Sequence, residues 1–487
     1  MSKIESHGES RVIHAQYVYD LRQSMGYCRI IVRAFPMKIQ TWLAAVGLAG
    51  LSTGILGAEA RLDNPNRLAQ WSGAVAKARG PVGEVPECAP GCQRFDLMLN
   101  LPPGVWTNHP GGVLIAIRWM GLTSALPPAA SFATAGRPSP ISPQIFDPTN
   151  LGDNLKLYVY QGPALIAKSE GITSLAQSVL IREAANGPLR LYAAYDPDSA
   201  RPSIAYEGLA SVEYDPAPEP ARRLLPDLEA RPQRHVTFDP GGIFARAISP
   251  QYPSCYVTEV QEEGAHTCLR FDQVFANVGQ GEMEVRFTVP NGSTATTFDA
   301  MQRIYWSDQG HMEERRVGQV EFHPTHEHYH LTSLGLSRLW SVNEDPKNKP
   351  VNPLRVRFVR SGRKVSFCMV DTEIDGWGKK GVGPRKWKAP DCLMPVAKDA
   401  ANSYFAQGIT KGWRDIYEWY LPHQYIEVSG VPDGLYVLET IADPDQQLME
   451  ENKTNNCVSI YIRLSGIASR APAAQIAGPG PSCSELR

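Results

Sequence analysis

The stretch EFHPTHEHYHLTSLGLSRLW, residues 321–340, carries four of the chain's eleven histidines within eight positions. Three of them, His326, His328 and His330, alternate strictly. Side chains alternate faces along a β-strand, so this spacing predicts a strand with three imidazoles on one face. On a flat strand the outer two stand roughly 13 Å apart at Cα. Holding one ion between all three therefore requires a twist, a bulge or an inward lean of the rings. Three neutral imidazoles with open positions suit Cu(II) or a catalytic Zn(II). The competing reading is a solvated histidine-rich loop or a set of satisfied core histidines. Strict alternation in a chain otherwise poor in histidine favours the metal site. His323 differs from the three in parity and is assigned a supporting role.

The rest of the chain reads as β as well. Segments 155–162, 187–197, 283–289, 354–360, 425–442 and 457–464 alternate apolar and polar residues or are rich in β-branched and aromatic ones, and Gly, Pro and Asp bound them. At 487 residues the chain exceeds one ordinary core, which predicts two folded domains. An antiparallel β-sandwich over 85–215 is expected as an accessory domain, since that segment concentrates no catalytic residue types. The Pro-rich, charged segment 216–235 reads as a linker. A second all-β domain over 236–465 follows, then a flexible tail over 466–487.

Composition narrows the function. The chain is 43% hydrophobic and 20% charged, with a net charge of −2, so it is globular and lacks the basic stripe of a nucleic-acid binder. Residues 1–60 read as a leader. From Met37 a basic start, an apolar run and Ala58-Glu59-Ala60 form a secretory signal peptide, with translation starting at Met25 or Met37. The expected protein is therefore secreted, with no stable membrane span after cleavage. Outside the leader, eight of the nine cysteines remain, an even number in an exported chain. Cys88–Cys92, Cys255–Cys268 and Cys457–Cys483 are the local pairings expected. No C-x-x-C motif is present, which argues against a thiolate zinc site.

From about 268 to 464 the chain resembles the lysyl oxidase family. The resemblance rests on ordered blocks: QRIY at 302–305, FHPTHEHYH at 322–330, KVSFCMVDTE at 364–373, GITKGWRDIYEWYLPHQYIEV at 408–428 and TNNC at 454–457. It implies a β-sandwich-like catalytic domain in which His326, His328 and His330 hold Cu2+. It further implies that Lys364 and Tyr417 become the cofactor lysine tyrosylquinone. The implied activity is oxidative deamination of a primary amine, peptidyl lysine among them, by O2, giving an aldehyde, ammonia and hydrogen peroxide. A quinone supplies the electron sink that no side chain offers. Lysine must lose its proton to add to an oxidised ring, which calls for desolvation or a nearby cation.

Two departures stand out. The family's base histidine has no counterpart; the nearest positions are Ser337 and Arg338, and no histidine follows His330 until His423. Asp415, two residues before Tyr417, is the alternative base, provided its pKa is raised. The Gly/Lys/Pro-rich insertion at 376–395 is the second departure and bears on the substrate channel. Taken alone, Lys364 reads as a solvated strand-edge lysine, Tyr417 as a half-buried aromatic and Asp415 as a turn aspartate. The rival functions are a zinc hydrolase built on the three histidines and a non-catalytic extracellular metal-binding module. Glu327, the nearest acid, points to the wrong face to serve the hydrolase.

Overall fold

The computed structural model describes residues 59–77, 91–107, 109–119, 154–171, 174–195, 202–241, 247–323, 328–344, 350, 354–362, 364–388, 392 and 394–486. All of them fall within one compact unit, 55–487. The architecture is nearly all β, as the alternating segments require; the α-helix among the described residues is the seven-residue Val257–Glu263. The leader through residue 58 and Cys88 lie outside the described residues.

The first half is a sandwich of two sheets. One runs in the order Glu59–Leu62, Cys92–Leu99, Gly187–Tyr195, Leu155–Gln161, Ala164–Ser169. The other runs Leu68–Ala76, Ser203–Tyr214, Gly111–Trp119, Ala176–Arg182. Pairing is antiparallel apart from Glu59–Leu62, which lies parallel to Cys92–Leu99. The sandwich thus takes in two strands that precede residue 85. Val113, Ile115 and Ile117 face its interior with Leu97, Leu157 and Leu191. The opposite face of the same strand is also buried. Leu114 and Ala116 join a second cluster that includes Phe275, Met283, Phe367 and Trp413 from the C-terminal half. The run GGVLIAIRW predicts this, because a strand buried on both faces is apolar throughout rather than alternating.

The C-terminal half holds three larger sheets. The first runs His328–Leu331, Met312–His323, Thr297–Trp306, Met283–Pro290, Asn402–Ile409, Ala397–Lys398. The second runs Leu228–Arg231, Gln273–Asn277, Trp413–Tyr417, Glu373–Ile374, and the third Val356–Ser361, Gly335–Val342, Gly434–Ala442, Cys457–Ser465, Ala473–Pro479. Segment 216–235, expected as a linker, contributes strands to two of them: Arg223–Leu224 pairs with Thr297–Trp306, and Leu228–Arg231 with Gln273–Asn277. Prolines mark its turns, but the short runs between them have N–H groups free to pair. The tail, expected to be flexible, is ordered: Ala473–Pro479 adds to Cys457–Ser465, and the Cys457–Cys483 bridge pins its end, where Leu486 is buried. An edge strand of small residues needs only its backbone ladder, which its composition conceals.

Gly335 shows how tightly the centre is packed. A Cβ there would stand 2.5 Å from the Phe275 ring and 2.9 Å from the Phe367 ring. Those two rings meet edge to face at 5.7 Å, and Phe367 in turn packs against Tyr417.

Candidate functional site

The histidine strand is short, His328–Leu331, and pairs with Met312–His323 in a hairpin. Its alternation holds for the two histidines described. His330 is fully buried and His328 half-buried, and their Nε2 atoms lie 2.8 Å apart. The intervening Tyr329 packs with Phe287, Phe298 and Phe405. Metal–nitrogen bonds of about 2.0–2.1 Å place neighbouring nitrogens on one ion about 3 Å apart. The two imidazoles therefore already have the spacing of ligands to a shared cation. His326 lies outside the described residues. The backbone register sets His323 across from His328, a pairing that counting parity along one strand could not reveal.

Leu331, next to His330, bridges to Phe367 through two backbone hydrogen bonds of 2.8 and 3.1 Å. This bridge brings the KVSFC segment against the histidine strand, and the Ser366 Oγ lies 3.4 Å from His330 Nδ1. Lys364 begins that segment. Its Nζ sits 5.2 Å from the centre of the Tyr417 ring and 5.6 Å from that of Phe367. Desolvation among these rings pushes the amine down to about 8, opposed in part by the Glu263 carboxylate. Its neutral fraction near pH 7 is therefore larger than that of an ordinary lysine.

Tyr417 ends the strand Trp413–Tyr417, which starts after Gly412 at φ 78°. Its hydroxyl is held by one residue twice: the Cys368 N–H donates to Oη at 2.5 Å, and Oη donates to the Cys368 carbonyl at 2.8 Å. Burial raises its pKa well above the usual phenol value, and the nearby Asp415 adds to this. Cys368 is itself fixed by a disulfide to Cys392. Sequence reasoning missed that pairing; Cys255–Cys268 and Cys457–Cys483 form as expected. Cys92 is also disulfide-bonded.

Asp415 points from the same strand and is fully buried. The Thr372 hydroxyl donates to its Oδ1 at 3.1 Å, and its Oδ2 has no hydrogen-bond partner. Burial pushes its carboxyl up to about 8. A carboxyl poised there exchanges protons near neutrality, which is the property sought in a general base. Ser337, nearest to the position of the family's base, cannot take that role. It is buried, hydrogen-bonded by Gln273 Nε2 and 3.0 Å from the Thr440 hydroxyl, and Gln273 pairs across from Tyr417. Asp371 lies close by, and its buried carboxyl accepts hydrogen bonds from the backbone of Lys386, Trp387 and Thr410.

One region of the fold thus gathers two imidazoles, a desolvated lysine, a buried tyrosine and a poised carboxyl. Residues 301–471 match the lysyl oxidase family model, which supports lysyl oxidase family membership for this segment. Lysyl oxidase homolog 2 of Bos taurus is 28% identical over 145 residues, 30% of this chain and 15% of that protein. Its Homo sapiens counterpart is 27% identical over 145 residues, again 30% and 15%. Lysyl oxidase homolog 3B of Danio rerio is 28% identical over 145 residues, 30% of this chain and 14% of that protein. The match thus spans about 15% of the length of these curated relatives. Among solved structures, a Bacteroides uniformis beta-glucuronidase 2 aligns at 7% identity and a TM-score of 0.14 over 80% of this chain and 32% of that one, too slight a likeness to carry argument. Among the described residues, no helix is long and apolar enough to cross a membrane.

Proposed function

We propose that the chain is a secreted, copper- and quinone-dependent amine oxidase of the lysyl oxidase type, acting on primary amines such as the ε-amino group of peptidyl lysine. The observation that carries this reading is the placement of the Lys364 amine 5.2 Å from the Tyr417 ring, desolvated to a pKa of about 8. A strand-edge lysine without such a role would sit in water at its ordinary pKa near 10.4. His328 and His330, with His326, are the residues to hold copper; the 2.8 Å spacing of two ring nitrogens fits such an ion. The quinone formed from Lys364 and Tyr417 supplies an electrophilic, two-electron acceptor for the substrate amine.

The chain's own residues do the rest. The Cys368 backbone and the Phe367 ring orient Tyr417. The ring shell around Lys364 excludes water and frees its amine. Asp415, as carboxylate, takes the proton from the carbon next to the substrate nitrogen. In balance, R–CH2–NH2, O2 and H2O give R–CHO, NH3 and H2O2. Export accounts for the disulfides at 255–268, 368–392 and 457–483, which persist in an oxidising compartment.

The test is peptide mass mapping of exported protein matured with copper and air. A covalent link between the Lys364 and Tyr417 peptides, absent without copper and accompanied by amine-dependent peroxide release, is expected. Only unmodified peptides under full copper loading would remove the oxidase reading.

A further inference from the structure

Thr372 links the N-terminal sandwich to the site. Its hydroxyl is the side-chain donor to Asp415, at 3.1 Å. Its carbonyl is gripped from the other domain. The Leu175 N–H donates to it at 2.9 Å and the Ser174 hydroxyl at 3.0 Å. The Leu175 side chain also packs on Trp419 and Tyr420, immediately beyond Tyr417. The first domain therefore touches Thr372, whose hydroxyl holds Asp415, and the aromatic pair that follows the strand ending at Tyr417.

The insertion at 376–395 explains how the domains stay registered. The ring of Trp377 lies 4.5 Å under the Arg118 guanidinium. The Gly381 N–H donates to Glu213 at 2.8 Å, and the Arg385 N–H to the Ser178 hydroxyl at 2.8 Å. Each partner comes from the sandwich. The insertion is thus a docking arm, and the shared buried cluster with Leu114 and Ala116 continues beneath it.

We infer that the N-terminal sandwich is a working part of the site, in which Ser174 and Leu175 act as positioning residues that hold Thr372 and, through its hydroxyl, Asp415. This rests on the oxidase reading for its activity readout. The groups that face Asp415 are the Asp371 and Glu418 carboxyls, the Tyr417 phenol, the Thr372 hydroxyl and the backbone at Val370 and Ile416. None of the side chains among these is a cation, so the Thr372 hydrogen bond is the side-chain interaction that favours the charged form of Asp415.

The test uses the full chain carrying Thr372→Val, Thr372→Ser or Ser174→Ala, matured with copper and air, with kcat and KM for a small primary amine followed against pH. Thr372→Val is expected to move the acid limb of kcat to higher pH and to lower kcat at pH 7 by about tenfold with KM unchanged. Thr372→Ser restores both. Ser174→Ala, a change in the other domain, moves the limb in the same direction, with a loss of roughly two- to threefold. Titration of the buried carboxyl by infrared spectroscopy, assigned by its loss in Asp415→Asn, reads the same midpoints without turnover. Folded variants that all keep the midpoint of the unaltered protein would overturn the inference. Absence of the Lys364–Tyr417 cross-link in the unaltered protein defeats the oxidase reading instead, and the infrared midpoints still decide the positioning role.

Discussion

The strand Trp413–Tyr417 treats charge in opposite ways on its two faces. On one, Arg414 lies 2.6 Å from Glu373 and 3.2 Å from Asp375, while Arg231 makes a two-pronged pair with Asp375 and Arg234 approaches Glu373. On the other, Asp415 and Tyr417 are also buried, held by the Thr372 hydroxyl and the Cys368 backbone. The consequences diverge. The guanidinium groups hold the Glu373 and Asp375 carboxyls below their usual values despite burial, whereas burial without a cation pushes Asp415 up to about 8. Burial alone does not decide whether a carboxyl is charged; its partner does. The paired face locks the sheet, and the unpaired face keeps groups whose protons can move.

Replacing Asp415 by Asn breaks the unpaired face and has the largest expected effect on rate. Losing a positioned base lowers kcat by about 10²–10⁴-fold, while the Lys364–Tyr417 cross-link still forms; steady-state rates and mass mapping on one preparation check both. The linkage has a definite sign. Because the folded pKa of Asp415 is raised, its contribution to stability is fully present at low pH and is lost as pH rises through about 8. The Asn variant is therefore expected to gain stability relative to the unaltered protein above pH 8. An Asn variant with full kcat would remove Asp415 from the mechanism.

Replacing Arg414 by Met breaks the paired face. It leaves Glu373 and Asp375 buried with reduced compensation, at a cost of about 3–5 kcal/mol, read from the denaturant midpoint. Here the pH dependence runs the other way. Depressed carboxyl pKa values give stability that is present above the unfolded value and lost as pH falls through the folded one. The unaltered protein should lose that contribution in acid, and the variant should show a weaker acid dependence. A change confined to catalysis, with the midpoint unmoved, would show that the two faces are not divided as described.

Cys392→Ser tests what fixes Tyr417. Opening the Cys368–Cys392 bridge, across 24 residues, is expected to cost about 2–4 kcal/mol. It should also slow cross-link formation, since Cys368 supplies both hydrogen bonds to the Tyr417 hydroxyl. Cys457→Ser opens a loop of similar length, 26 residues, far along the chain in the tail. It should cost comparable stability while leaving the rate of cross-linking unchanged. Equal slowing in both would assign the effect to general loosening.

Much of this was legible in the sequence, for reasons that differ by region. The alternation of His328 and His330 predicted a shared face, and their nitrogens meet at 2.8 Å. The family blocks brought Lys364 and Tyr417 together, which neither residue's surroundings in the chain could do. The double burial of Gly111–Trp119 was written in its unbroken apolar run, yet the reading of 85–215 as an accessory module hid its meaning. The Ser174–Thr372 contact joins residues 198 apart and carries no local pattern at all. The Arg414 lattice was equally invisible, because charged residues in a strand read as solvent-facing until their partners are known.

The smallest expected effect is the most discriminating for Lys364, because it separates a lysine poised for chemistry from one that is only buried. The neutral amine is the form that adds to an oxidised ring, so the rate of cofactor formation should follow the deprotonated fraction. With the amine at about 8, the rate rises nearly tenfold per unit through pH 6 and 7 and levels above 8. A solvated lysine would still be climbing at pH 9 and would level near 10.4. Anaerobic copper loading at each pH, followed by admission of air and timed sampling for the Lys364–Tyr417 cross-link, measures the profile. Phe367→Leu sharpens the reading, since thinning the ring shell lets water reach the amine. Its plateau should shift upward from about 8 toward the ordinary lysine value, with a slower rate at pH 7. A plateau near 10 in the unaltered protein would mean that the rings around Lys364 do not set its basicity, and that the unpaired face holds its groups for packing alone.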